Sequence, residues 1–104
     1  NGNNWVGRNA WVRGQEGELY LRYNHGLHRI DLASFSIREK FRRRGVALGL
    51  IQMALTKGVP CVRVENILVP GWARKVMSFR FPGWETQYKR EWGPVTVDFV
   101  KERG

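Results

Sequence analysis

Between Ile37 and Leu50 the chain reads IREKFRRRGVALGL, which sets Arg38, Lys40, Arg42, Arg43 and Arg44 just ahead of the small residues Gly45 and Ala47. Strand-forming residues precede this stretch and apolar residues at helical spacing follow it, so it reads as a strand-to-helix junction. The first N–H groups of a helix have no intrahelical partner and sit at the positive end of its dipole. Such a junction binds anions, phosphate groups above all. Gly45 and Ala47 would let a phosphate approach the backbone closely, and the basic side chains raise the local positive potential. A basic run is otherwise a solvated face or a nucleic-acid contact; the preceding strand, the placed small residues and the apolar helix favour the phosphate cradle.

Groups able to move a proton are few. Asp31 and His28 fall on the expected strand Leu27–Ile37, and Glu65 follows a later strand, Cys61–Val64. A carboxylate or a histidine could accept a proton through water. Strand alternation puts Asp31 on the side of Arg29 and Ala33, opposite His28. The plainer readings are a solvated charge paired with Arg29 for Asp31, a turn residue for His25, and a structural carboxylate for Glu65.

The elements that must carry these groups follow from pattern. WVGRNAWV (Trp5–Val12) is rich in strand formers, Gly14–Gly17 makes a hairpin turn, and ELYLRY (Glu18–Tyr23) alternates with period two. Asn24-His25-Gly26 is a second turn before the strand Leu27–Ile37. From Arg44 to Thr56, apolar residues at Val46, Leu50, Met53 and Ala54 predict a helix, which Lys57-Gly58 ends. After the strand Cys61–Val64, Pro70 opens a second helix through Trp72, Val76 and Phe79, stopped by Phe81-Pro82-Gly83. Glu85–Arg90 and Val95–Val100 are the last strands. The order β-β-β-α-β-α-β-β implies an α+β class, a mixed α/β sandwich with a mainly antiparallel sheet and one parallel crossover.

The chain has 104 residues, enough for one domain, 1–104, and not for two. Hydrophobic residues make up 42%, so a core is attainable without metals or disulfides, and no metal site is expected. The single cysteine, Cys61, cannot form an internal bridge; it is expected to be a buried, inert thiol, and it fits a reducing compartment. No apolar run approaches the ~20 residues that cross a bilayer, and no signal peptide opens the chain. The expectation is a soluble, cytoplasmic protein without membrane contact, and a start at Asn1 rather than Met is compatible with part of a longer chain. The net charge of +9 favours anionic partners: nucleic acid, phosphorylated cofactors or acidic proteins. Five tryptophans are scattered along the chain and are expected in the core, as are Leu50, Ile51, Met53 and Leu55.

The spacing Arg42-x-x-Gly45-x-Ala47 resembles the R/Q-x-x-G-x-G/A signature of the GNAT superfamily of acetyltransferases. Ile37 and Phe41 match the β-branched and aromatic residues that precede it there. The stretch Phe79–Trp84 has the form of the family's Y-x-x-x-G-F ending with two aromatic substitutions, so the resemblance covers about Glu18 to Val100. It implies an N-acetyltransferase with acetyl-CoA as co-substrate and an amine as acceptor. The backbone N–H groups of Arg43 to Leu48, including Arg44, Gly45, Val46 and Ala47, would bind the pyrophosphate. The backbone at Phe35 and Ile37 would bind the pantetheine arm where the sheet splays, with Asn66 loosely matching a cofactor-side asparagine. The amine would attack the thioester directly, with Asp31 or Glu65 as base.

Two departures from the family stand out. The tyrosine that commonly protonates the leaving thiolate aligns with Phe79, with Ser78 and Tyr88 as conceivable substitutes. The usual first strand and the two helices after it are missing, and these normally line the acceptor side. Two further readings therefore stand beside the enzyme: a module acting on nucleic acid or a nucleic-acid-bound protein, and a catalytically degenerate CoA-binding or inhibitory protein. The open sheet edge makes a homodimer conceivable.

Overall fold

Alternation dictates the sheet: Val62 and Val64, then Val95, Val97 and Phe99, are buried at every second position, while Arg63 and Asp98 between them face the other way. A computed structural model describes residues 8–15, 17–38, 45–67, 70–90 and 94–103. Its elements are β1 (Arg8–Gly14), β2 (Gly17–Asn24), β3 (Arg29–Ile37), α1 (Val46–Leu55), β4 (Cys61–Ile67), α2 (Pro70–Met77), β5 (Trp84–Arg90) and β6 (Val95–Lys101). This is the expected order. The six strands form one sheet in the order β1-β2-β3-β4-β6-β5, antiparallel throughout except between β3 and β4. Gly17 starts β2 under constraint: its φ is 149°, and a Cβ there would lie 1.9 Å from the Ser36 carbonyl oxygen.

Both crossovers, β3-α1-β4 and β4-α2-β5, step across the sheet in the same direction. Right-handed connections then put both helices on one face. Burial agrees, since Ile51 and Ala54 of α1 and Ala73 and Val76 of α2 join a single cluster with Leu19, Ile30, Leu32, Val62, Val97 and Phe99. Trp72, Met77, Phe79, Phe81 and Trp84 pack partly buried against it. The opposite face carries no helix among the described residues.

Several boundaries and faces differ from expectation. Phe79 lies beyond α2, which ends at Met77. Glu65 and Asn66 belong to β4 rather than following it. His28 precedes β3 in a turn with φ 52°, so it is not a strand residue. On α1 the buried positions are Ala47, Ile51 and Ala54, whereas Met53 is 56% exposed and Leu50 and Leu55 are half-buried. The helix is turned about one residue from the stripe that the apolar pattern suggested, because Ala47 and Ala54 allow closer approach to the sheet than Leu50 or Met53 would. Among the described residues, no helix is long and apolar enough to cross a membrane.

Candidate functional site

Backbone pairing between β3 and β4 runs from Arg29↔Cys61 to Leu32↔Val64 and then stops, although β3 continues to Ile37 and β4 to Ile67. Two bulges flank this point. On β3, Ala33 stands unopposed between the rungs Leu32↔Leu21 and Ser34↔Tyr20. On β4, Glu65 and Asn66 together face Thr96 between the rungs Val64↔Val97 and Ile67↔Val95. Bulges bend and twist a strand locally, and here they sit on both sides of a fork. Phe35 and Ile37 lie on the diverging part of β3, where they pair with Leu19 and Gly17 of β2 and not with β4.

The N-terminus of α1 stands at the same end of the sheet. Gly45 caps it at φ 75°, a left-handed conformation that L side chains resist. A Cβ at Gly45 would meet nothing within 4 Å, so the space before the helix is open. The first intrahelical bond is donated by the Gly49 N–H to the Gly45 carbonyl, at 2.8 Å. Among the described residues, the N–H groups of Val46, Ala47 and Leu48 therefore lack helical partners, and there is neither a side-chain cap nor an acidic residue in the first turn. This is an electropositive mouth of the kind that holds phosphate. The small size of Ala47 serves a different end from the one expected, since its side chain is buried against the sheet. Arg38 is also committed elsewhere: its Nη1 donates to the carbonyls of Gly14 and Gln15 in the β1–β2 turn. Arg42, Arg43 and Arg44 lie outside the described residues.

On the helix-free face a row of charges crosses the sheet at one level. The paired positions Arg22↔Asp31, Asp31↔Arg63 and Arg63↔Asp98 alternate in sign across β2, β3, β4 and β6. Arg29 donates from Nε and Nη2 to the two oxygens of Asp31, and Arg22 adds a bond from Nη2 to Oδ2 at 3.3 Å. Asp31 is 1% exposed beneath these two guanidinium groups. The expected pairing with Arg29 is present, but the carboxylate is buried rather than solvated, so it is not positioned to accept a proton from a ligand. Arg22 also binds both oxygens of Glu65, at 2.6 and 2.7 Å. Burial works against the Arg22 charge, but the bonds to Glu65 and Asp31 outweigh it and raise the pKa above the ordinary value. Arg63 is likewise held up, chiefly by its two bonds to Asp98.

The remaining candidates are distant from the fork. His25 and His28 occupy the β2–β3 turn, at the opposite end of β3. Phe79 follows α2, whose other end, Pro70, is the one next to the fork; the eight-residue helix separates them by about 12 Å. Its ring packs edge-on to Phe81, which in turn meets Phe99. Ser78 donates its hydroxyl to the Lys75 carbonyl, and Tyr88 stands exposed on β5, two strands from β4. A mostly apolar cleft of about 440 Å³ opens on the other flank of β3, walled by Leu19, Ile37, Val46, Leu50 and Met53. Sequence reasoning missed Arg22. Period-two alternation separates it from Leu19 and Leu21, but its main partner is 43 residues away and only the topology brings them together.

By sequence, the chain matches no protein-family model and no curated protein. By structure it is similar to a protein from Agrobacterium tumefaciens provisionally assigned as an acetyltransferase. The TM-score is 0.59 at 17% identity, and the match covers 93% of this chain and 74% of that one. The chain has a GNAT-like fold. Weaker likenesses extend to nourseothricin acetyltransferase (TM-score 0.49, 19% identity, 83% of this chain and 56% of that chain). An acetyltransferase from Bacillus cereus gives a TM-score of 0.48 at 13% identity over 92% of this chain and 72% of that one.

Proposed function

We propose that the chain is an acetyl-CoA-dependent N-acetyltransferase acting by direct attack of an amine on the thioester. The observation that carries this reading is the conjunction of the open fork with an uncapped, acid-free helix N-terminus at the same end of the sheet. The N–H groups of Val46, Ala47 and Leu48, which have no helical partner among the described residues, suit a pyrophosphate. The backbone of β3 from Ala33 to Ser36, which has no rung to β4, suits an amide-bearing pantetheine arm lying along it as a strand would. An acceptor amine then meets the thioester carbonyl within the fork. The N–C bond forms as the C–S bond breaks, the thiolate gains a proton from solvent, and the amine loses one. Glu65, at the first position past the last β3–β4 rung, can receive the amine N–H and pass its proton on through water. Most of the rate enhancement in such a design comes from holding both reactants together.

A second reading, CoA binding without turnover, draws on Phe79, which has no hydroxyl and lies at the far end of α2. Release of free thiol from acetyl-CoA in the presence of an amine decides between them.

The binding claim is tested at Gly45. Asparagine and aspartate both tolerate a left-handed backbone, so Gly45→Asn and Gly45→Asp differ mainly by one negative charge in the anion mouth. Millimolar acetyl-CoA is expected to raise the thermal midpoint of the wild type and of Gly45→Asn, as a ligand selective for the folded state must. Gly45→Asp should lose most of that shift. No shift in the wild type, or equal shifts in the two variants, would sink the reading.

A further inference from the structure

Past Leu32↔Val64 no backbone ladder fixes the distance between β3 and β4, and yet β4 must be held there for a fork of constant width. One side chain spans the gap. Arg22 starts on β2, crosses over β3, and closes on Glu65, the first β4 residue beyond the last rung. Strands two places apart in a sheet are separated by about 9.6 Å, so this ion pair ties together strands that never pair with each other. Its root is firm: Asp31, buried on β3, takes a second bond from the same Arg22 nitrogen and is itself clamped by Arg29. Arg63 and Asp98 form a separate pair on the same face, between strands already joined by their own ladder.

We propose that Arg22 is a positioning residue whose strap to Glu65 sets the opening of the β3–β4 fork, and so governs how well the fork grips acetyl-CoA. The inference rests on the acetyl-CoA reading above. Arg22 touches no reacting atom; it acts by holding the diverging tip of β4, Glu65–Ile67, against the rest of the sheet. Both contacts to Glu65 come from the one nitrogen Nη2, and a hydrogen bond between two charged groups is stronger than a neutral one.

The test is acetyl-CoA affinity, read by calorimetry, which needs no turnover. Arg22→Met and Glu65→Leu are each expected to weaken binding about tenfold, and the double variant also only about tenfold, because both singles cut the same strap. Arg63→Met removes an arginine of the same face without touching the strap and should bind as the wild type does. Should Arg22→Met fail to fold, Arg22→Lys replaces it: the shorter side chain keeps a cation beside Asp31 but falls short of Glu65 across β3, and binding should fall about threefold. Independent, multiplying effects of the two singles, or an Arg22→Lys that binds as tightly as wild type, would overturn the strap. A wild type that binds no acetyl-CoA would instead remove the parent reading.

Discussion

The two faces of this one sheet are built from alternate residues of the same strands, and they are stabilised in opposite ways. On the covered face, Val62, Val64, Val97 and Phe99 are dry beneath α1 and α2, and hydrophobic burial holds the layers together. On the open face, Arg22, Arg29 and Arg63 meet Asp31, Glu65 and Asp98, and no described buried side-chain nitrogen or oxygen lacks a partner. A face without helices is thus closed by its own long side chains, whose stems cover the strands while their charges cancel. Stability resides mainly on one side of the sheet, and the geometry of the fork is tuned from the other.

Substitutions on each face can break that contrast. The largest effect is expected from Phe99→Ala, where truncating a fully buried ring should cost about 3–5 kcal/mol in urea unfolding. Asp31→Ala should follow at about 2–3 kcal/mol, because it strands Arg29 and Arg22 without their shared carboxylate. A loss for Asp31→Ala as small as that of an exposed pair would mean that the open face is only decoration. The smallest effect sharpens the comparison by asking how dry the open face is. Cys61 shares that face with Arg63, and burial, then the Asp98 charge, push its thiol from the ordinary 9.0 up to about 11. A thiol whose pKa is higher when folded adds stability that is complete below pH 9 and is lost as pH climbs through 11. Cys61→Ser should therefore flatten the stability decline between those two pH values, relative to wild type. Identical slopes would mean that the open face is wet.

Much of the architecture was legible because each element had its own punctuation. Period-two runs between Gly-rich turns gave the strands, and the spacing Val46–Ala54 before Lys57-Gly58 gave α1. What stayed hidden depended on contacts distant in sequence. Ala33 reads as an ordinary strand residue, and only the lengths of β2 and β3 make it a bulge. Ala47 looked like a phosphate-side residue; which side of α1 packs on the sheet depends on the sheet's close approach, and Ala47 and Ala54 allow it. Phe79 seemed to stand where a proton donor would be, until the end of α2 at Met77 placed it away from the fork. Asp31 and Glu65 were visible as carboxylates, but their different fates were not: Asp31 lies under two arginines, while Glu65 is 19% exposed at the fork.

The cancelled charges of the open face have a consequence for how the molecule meets its ligands. Three of the eighteen basic residues and three of the nine acidic ones are used there in equal number, so the whole surplus of +9 comes from other residues of the chain. Seen from a Debye length away, these six charges are quiet, and the positive surplus comes from the other residues of the chain. A polyanion diffusing nearby feels a torque before it feels any contact, and it is turned away from the quiet face. A neutral amine meets no such field, and a cationic one is pushed towards the quiet face. Two reactants of different charge would thus reach opposite sides of the same sheet, sorted in solution by the arithmetic of six side chains.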